Sequence, residues 1–145
     1  MNSKILSGGI AGLAFAALLA DGLPASAEIV NLKVAPLSGA NEVPPNAAKA
    51  TGSVTATYDT ASKKLSWKGS YTGLTGPVTG SHFHSAEKAT MNGTVQVPIV
   101  AATSPFEGSA TLTDAQAADV MAGRFYINIH TAANPGGEIR GQVTK

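Results

Sequence analysis

The 145-residue sequence contains no cysteine, and this absence removes several kinds of chemistry. It excludes disulfide bonds, thiolate zinc sites of the finger type and a cysteine nucleophile. Charge is also sparse, at 13% of the residues with a net charge of +1, and the nearest approach to a basic tract is the pair Lys63-Lys64. Because nucleic acids and anionic membranes are bound by concentrated positive charge, we expect neither as a partner.

Two common enzyme signatures are missing as well. The sequence has no G-x-S-x-G nucleophile elbow, and Gly136-Gly137 is followed by a predicted strand. A glycine loop that binds phosphate leads into a helix instead. We therefore expect neither serine-hydrolase chemistry nor nucleotide-dependent catalysis.

Long hydrophobic runs are absent except for one near the amino terminus. Residues 10–20 (IAGLAFAALLA) are apolar, with Lys4 before them and Ala25-Ser26-Ala27 after them. This order is typical of a secretory signal peptide, and the run is shorter than the roughly 20 apolar residues that cross a bilayer. We expect residues 1–27 to be a cleaved signal peptide. Residues 28–145 are then a single exported domain, periplasmic or secreted, with no membrane insertion after cleavage.

Apolar and polar residues alternate repeatedly after the leader, and this period predicts short strands. Turn-forming residues separate the alternating stretches. The stretches are residues 30–34, 52–58, 65–71, 81–85, 95–99, 106–112, 125–130 and 138–143. Many short strands with glycine and proline turns predict an all-β fold, an antiparallel β-sandwich.

One segment changes from the period of a strand to that of a helix. Thr113 and Gln116 have the spacing of a capping box, apolar residues follow at helical spacing, and Gly123 ends the pattern. The sequence therefore predicts one short helix near residues 113–122. Elsewhere, Asn92-Gly93 indicates a turn, but Asn92-Gly93-Thr94 is also a glycosylation sequon, and the sequence leaves open which role Asn92 has.

The chain has only three histidines, and all of them fall on predicted strands. His82 and His84 alternate with Phe83 and so project from one face, while His130 lies on the outward face of residues 125–130. If the two strands are neighbours, three imidazoles converge into a metal site. Imidazole binds copper, zinc, iron and nickel, and the affinity order of divalent ions favours Cu(II). We predict Cu(II) first and zinc second.

Carboxylates near this site are candidates for supplementary ligands, namely Glu42, Glu87 and Glu138. Glu138 and Arg140 are two positions apart on one predicted strand, which also fits an ion pair worth about 0–1 kcal/mol if exposed. We therefore predict Glu42, Glu138 and Arg140 as supplementary or orienting residues of the site. The alternative is that the histidines are ordinary polar residues on the solvent face of a sheet.

Three stretches taken together resemble the CHRD domain, named for the repeats in chordin. They are residues 37–45 (LSGANEVPP), His82-Phe83-His84, and residues 126–142, and the resemblance runs from about Leu32 to Val143. It implies a β-sandwich of immunoglobulin-like or superoxide-dismutase-like character in an exported protein, with no settled activity for the family. Chordin is an extracellular growth-factor antagonist, which implies a binding role.

The histidine pattern also resembles part of the copper site of copper/zinc superoxide dismutases. That site uses four histidines, whereas this sequence has three. The main hypothesis is therefore an exported protein that holds Cu(II) or zinc without catalysis. One alternative is a structural or interaction module that binds an extracellular or periplasmic protein, or a matrix, without metal. The other, which the missing fourth histidine disfavours, is a copper redox enzyme of the dismutase type.

Overall fold

The computed structural model describes residues 26–100 and 103–145. Most of the predicted signal peptide, residues 1–25, lies outside the described residues. The elements are β1 (Ile29–Val34), β2 (Leu37–Ser38), a 3-10 turn (Gly39–Asn41), β3 (Thr51–Asp59), β4 (Lys64–Thr72), β5 (Val78–Ser85), β6 (Thr94–Pro98), β7 (Phe106–Thr111), α1 (Asp114–Met121), β8 (Phe125–Thr131) and β9 (Ile139–Thr144). In the described part of the chain, no helix has the length and apolar character needed to cross a membrane.

The strands form two antiparallel layers that are joined at β1 and β2. Hydrogen-bonded neighbours follow the order β6-β5-β8-β9-β1-β3-β4-β7. β1 changes partner along its length, because residues 29–32 pair with β3 whereas Lys33 and Val34 pair with β9. β2 also bonds to both β3 and β9.

A contact across the interior shows that the layers face each other. The rings of Trp67 on β4 and Phe83 on β5 have centroids 5.1 Å apart. β4 and β5 are far apart in the strand order, so this contact requires two packed sheets. The predicted all-β, sandwich-like fold is confirmed.

The space between the layers is filled by the apolar residues of the alternating stretches. Each such side chain contributes about 1.5–3 kcal/mol when it is fully buried, which lets the domain form a core without disulfides. The fully buried members from the two layers include Leu37, Leu65, Phe83, Phe125, Ile127, Ile129, Ile139 and Val143.

The locally encoded elements form as the sequence predicts. β3 and β4 make a hairpin in continuous register, and β8 pairs with β9 after the predicted turn. Helix α1 follows Thr113, and both hydrogen bonds of its capping box with Gln116 are present. Gly123, at φ 72°, ends it. Proline at the end of β6 also fits its place at an edge of the sheet.

The outward face of β8 is covered rather than open to solvent. Tyr126 and Asn128 on this face are only 2% and 3% exposed. A covering loop, residues 86–93, is held over it by the Arg140 side chain, which donates hydrogen bonds to carbonyl oxygens of the loop. A buried polar layer therefore lies outside the sheet, in addition to the apolar core inside it.

Candidate metal centre

The pairing of β5 with β8 brings the three histidines together. Residues 80–85 of β5 pair antiparallel with residues 125–130 of β8. One ring nitrogen from each of His82, His84 and His130 lies within 4.8 Å of the other two. The predicted convergence of the three imidazoles is confirmed, and it defines the candidate metal centre.

Two of the nitrogens already have the separation of ligands to one ion. His82 Nδ1 lies 3.3 Å from His130 Nε2. Bonds of about 2.0–2.1 Å to a tetrahedral zinc ion place neighbouring ligand atoms about 3.3 Å apart. The ring of His84 completes the group, with its centroid 5.5 Å from that of His82 and 6.1 Å from that of His130.

Hydrogen bonds to backbone carbonyls determine which ring nitrogen of His84 and of His130 is available to a metal ion. His84 Nδ1 donates to the carbonyl oxygen of Gly93 at 3.0 Å, and His130 Nδ1 donates to that of Pro135 at 2.9 Å. In each neutral ring this leaves Nε2 with a free lone pair. His84 Nε2 is buried and has no hydrogen-bond partner. A buried acceptor without a partner is costly unless a ligand or ion satisfies it.

The same network assigns the proton shared by the other two rings. Because His130 Nε2 carries a lone pair, His82 Nδ1 is the donor across their 3.3 Å separation. Neutral His82 has a single ring proton, so binding a metal ion through Nδ1 would require that proton to move to Nε2.

The surroundings of His82 and His84 favour the neutral form of these two rings. Burial lowers the pKa of His84, the hydrogen bond to Gly93 opposes this, and the nearby charges of His82, His130 and Arg140 lower the pKa further. Burial and then His130 lower the pKa of His82. Neutral imidazole is the form that binds metals, so the site is set for ligation at neutral pH.

Two glycines make room for this arrangement. A Cβ atom on Gly80 would lie 3.0 Å from His82 Cε1, in the space that the ring uses. A Cβ on Gly93 would lie 1.8 Å from the carbonyl oxygen of Ser85. The Asn92-Gly93 pair therefore serves a close approach of two backbone segments, which brings the Gly93 carbonyl to His84.

An aromatic and cationic stack supports the ring of His84. Tyr126 lies parallel to it, with centroids 4.9 Å apart and planes at 6°. The guanidinium carbon of Arg140 lies 3.3 Å from the centroid of the same tyrosine ring. A planar guanidinium over an aromatic face is an attractive contact. Arg140 is 1% exposed, so the charge is held inside the protein.

Arg140 and Tyr126 also hold the covering loop. Arg140 donates to Asn92 Oδ1 at 3.1 Å and to the carbonyl oxygens of Ala89 and Met91 at 3.1 and 3.0 Å. The Tyr126 hydroxyl accepts a hydrogen bond from the Gly93 N–H. These contacts fix the loop whose Gly93 carbonyl orients His84.

A comparison with protein families matches residues 33–143 to the CHRD domain. The chain belongs to the CHRD-domain family. CHRD domains are typically extracellular interaction modules. No curated protein and no solved structure matches the chain.

In this CHRD domain, Glu42 lies outside the histidine group, near Asn128 and Arg140. It is 4% exposed, and its Oε1 has no hydrogen-bond partner. Burial raises the pKa of Glu42 to about 7, although the charge of Arg140 and a hydrogen bond from Asn128 oppose the rise. The buried carboxyl group therefore keeps its proton to a higher pH than an ordinary glutamate, which opposes metal ligation.

Glu138 of this CHRD domain is engaged elsewhere. Its carboxylate accepts hydrogen bonds from the Thr75 N–H and hydroxyl and from the Thr131 hydroxyl. Burial opposes ionisation, but these hydrogen bonds outweigh it and hold the pKa of Glu138 below its usual value. Among the described residues no carboxylate joins the histidine group. The ion pair between Glu138 and Arg140 suggested by their spacing does not form, because each side chain is held by other partners.

The residues that sequence reasoning missed are Tyr126, Gly80 and Gly93. Tyr126 was visible only as an outward residue on a strand, and Gly80 as part of a glycine-rich connection. Tyr126 and Gly80 each lie opposite a histidine in the β5–β8 register, and this position is what marks them as part of the site. The register is known only once the strands are paired.

Proposed function

We propose that this CHRD domain is an exported protein that holds one copper or zinc ion through His82, His84 and His130, without catalysis of its own. The observation that carries the proposal is the convergence of three imidazoles, each with a ring nitrogen within 4.8 Å of the others, in which His84 Nε2 is buried and has no hydrogen-bond partner. Three neutral nitrogen ligands suit copper and zinc better than magnesium or calcium, which take oxygen ligands. The leader-like residues 1–27 support export to the periplasm or beyond the cell.

Metal uptake by the mature domain tests the proposal. Purified residues 28–145 are expected to bind about one equivalent of copper or zinc in calorimetric titration. His82→Ala and His130→Ala are each expected to weaken binding more than about 100-fold, since even residues behind a ligand contribute 10–100-fold. Thr79→Ala, an exposed change on the same strand, is the matched control and leaves binding unchanged. Unchanged uptake in the His82→Ala, His84→Ala double variant would rule out the site.

A second candidate function is an interaction module without metal. A cleft of about 400 Å³ lies between the Glu42–Asn46 segment and the turn around Pro135 and Gly136, and it suits a partner's side chain. A Cβ atom on Gly136 would meet nothing within 4 Å, so Gly136→Arg is expected to obstruct the cleft with little effect on the fold. On this view the melting temperature is the same with copper and with chelator, since only a ligand of the native state raises it.

A further inference from the structure

We infer that Asn128 is a fourth residue of the metal centre and that its side-chain oxygen, Oδ1, completes the ligand set of the three histidines. The inference rests on the proposed function and adds to it that the ion is held by four protein ligands. Two independent observations point to Asn128. One is its position among the histidines on the sheet, and the other is a buried oxygen that has no hydrogen-bond partner.

Asn128 occupies the position across the histidine group from His82. Three consecutive cross-strand pairs form this part of the outward face: His84 with Tyr126, His82 with Asn128, and His130 with Gly80. His84 and His130 therefore lie on different strands, at the two ends of the group, with ring centroids 6.1 Å apart. The line that joins them crosses the middle pair, so His82 flanks it on β5 and Asn128 flanks it on β8.

The nitrogen of the Asn128 amide is engaged on the other side of β8. Asn128 lies opposite Arg140 of β9, and its side chain is hydrogen-bonded to Glu42. A Cβ on Gly137, which leads into β9, would lie 2.7 Å from Asn128 Nδ2 and 2.4 Å from Glu42 Oε1. Because the amide group is planar and its nitrogen is engaged by Glu42, Oδ1 is free to face β5 and the histidines.

The oxygen itself lacks a partner. Asn128 is 3% exposed, and its Oδ1 is buried without a hydrogen bond. A buried acceptor left in this state costs about 1–3 kcal/mol. His84 Nε2, on the same face of the sheet, is also buried and unpartnered. One cation bound by both atoms would use the two free lone pairs at once.

A fourth protein ligand determines what the centre can do. Structural zinc sites are closed by four protein ligands, whereas catalytic sites keep one position for water or substrate. Three imidazole nitrogens and one amide oxygen form a closed set of this kind. An ion held in this way has no position left for an added anion, which agrees with storage or transfer of the metal rather than catalysis.

Cobalt(II) in place of zinc gives a visible spectrum that reports the coordination of the ion, and azide is a small anion that binds an open position. Excess azide should leave the spectrum of the wild-type Co(II) domain unchanged. Asn128→Ala opens the position, so azide should bind saturably and alter the spectrum. Asn128→Asp keeps an oxygen at the same place and should exclude azide again. Asn31→Ala, an exposed asparagine on β1, is the matched control.

Zinc affinity and nuclear magnetic resonance give two further measurements. Asn128→Ala should weaken zinc binding at least about tenfold, whereas Asn31→Ala should leave it unchanged. In the isotope-labelled wild-type domain, one equivalent of zinc should shift the ¹³Cγ resonance of Asn128 and leave that of Asn31 in place. The resonance measurement needs no variant at Asn128.

The outcomes separate this inference from the proposed function. A wild-type domain that binds neither zinc nor Co(II) overturns the proposed function itself. Azide binding to the wild-type Co(II) domain as strong as to Asn128→Ala shows that water fills the fourth position, which overturns the inference and leaves the three-histidine site standing. If Asn128→Ala does not fold, the resonance decides, and an Asn128 ¹³Cγ that zinc does not shift overturns the inference.

Discussion

His82 is the candidate ligand whose ring position depends on the absence of a side chain at Gly80. Its ring occupies the space that a Cβ on Gly80 would need, 3.0 Å from His82 Cε1. Gly80→Ala is expected to displace the ring and to weaken metal binding about tenfold, with little change in the free energy of unfolding, since the residue stays in its strand. Calorimetric titration and urea unfolding measure the two quantities.

Gly136→Ala is the control for this change, because a Cβ there meets nothing within 4 Å. Equal metal affinity in the wild-type domain and in Gly80→Ala would show that the His82 ring is not confined as described.

Glu42 gives the domain a pH-dependent stability with a definite sign. Its pKa is about 7 in the folded protein against an ordinary value of 4.5, so the folded state holds the proton more tightly than the unfolded one. Its contribution is therefore fully present below the unfolded pKa and is lost as the pH rises through about 7. Glu42→Gln should remove this loss, which amounts to at most about 3 kcal/mol.

Urea unfolding of both proteins at about pH 5 and about pH 8 measures the difference. The variant should gain stability relative to the wild type at the higher pH. If the free energies of unfolding of the two proteins differ by the same amount at both pH values, the raised pKa of Glu42 is contradicted.

The sequence predicts some of these residues and misses others for a physical reason. The facing of His82 and His84 follows from the two-residue period of a strand and needs no other part of the chain. The roles of Tyr126 and Arg140 depend on contacts with a loop more than 30 residues away in sequence, as in the bond from the Tyr126 hydroxyl to Gly93. No local pattern contains that information.

At the scale of elements, helix α1 is encoded almost entirely by its own residues. The Thr113 hydroxyl accepts from the Gln116 N–H, and the Gln116 side chain accepts from the Thr113 N–H. Gln116 Nε2 also donates to the Gln96 carbonyl on edge strand β6. Thr113→Ala is expected to cost about 1 kcal/mol of unfolding free energy, measured by urea denaturation.

Thr113→Ser keeps the hydroxyl and is the matched control, with a change of a few tenths of a kcal/mol or less. A cost in Thr113→Ala no larger than in Thr113→Ser would mean that packing, rather than the cap, starts the helix.

The covering loop is the element that sequence reasoning described least well. The pair Asn92-Gly93 indicates a turn, but neither residue has a positive φ, and Gly93 is required because its Cβ would collide with the Ser85 carbonyl. Hairpins and capping boxes are local and can be predicted, but a loop held by an arginine from β9 can be placed only after the sheet is assembled.

At the scale of the whole molecule, β1 and β2 belong to both layers. β1 pairs with β3 at one end and with β9 at the other. Unfolding of either layer would therefore remove hydrogen bonds that hold a strand of the other layer. We expect a single cooperative transition for residues 28–145. Trp67 fluorescence and far-ultraviolet circular dichroism should give the same urea midpoint. Two separate midpoints would show that the layers unfold independently.

The contact between Trp67 and Phe83 affects the fluorescence that the protein should show. Phe83 stands between His82 and His84 in sequence and packs on the one tryptophan of the chain, so the indole lies a single strand's thickness from the histidine group. Cu(II) is paramagnetic and absorbs visible light, and both properties quench a nearby indole. Cu(I) and Zn²⁺ have filled d shells and lack both. If the histidine group binds copper, Trp67 emission would therefore be weaker with Cu(II) than with Cu(I).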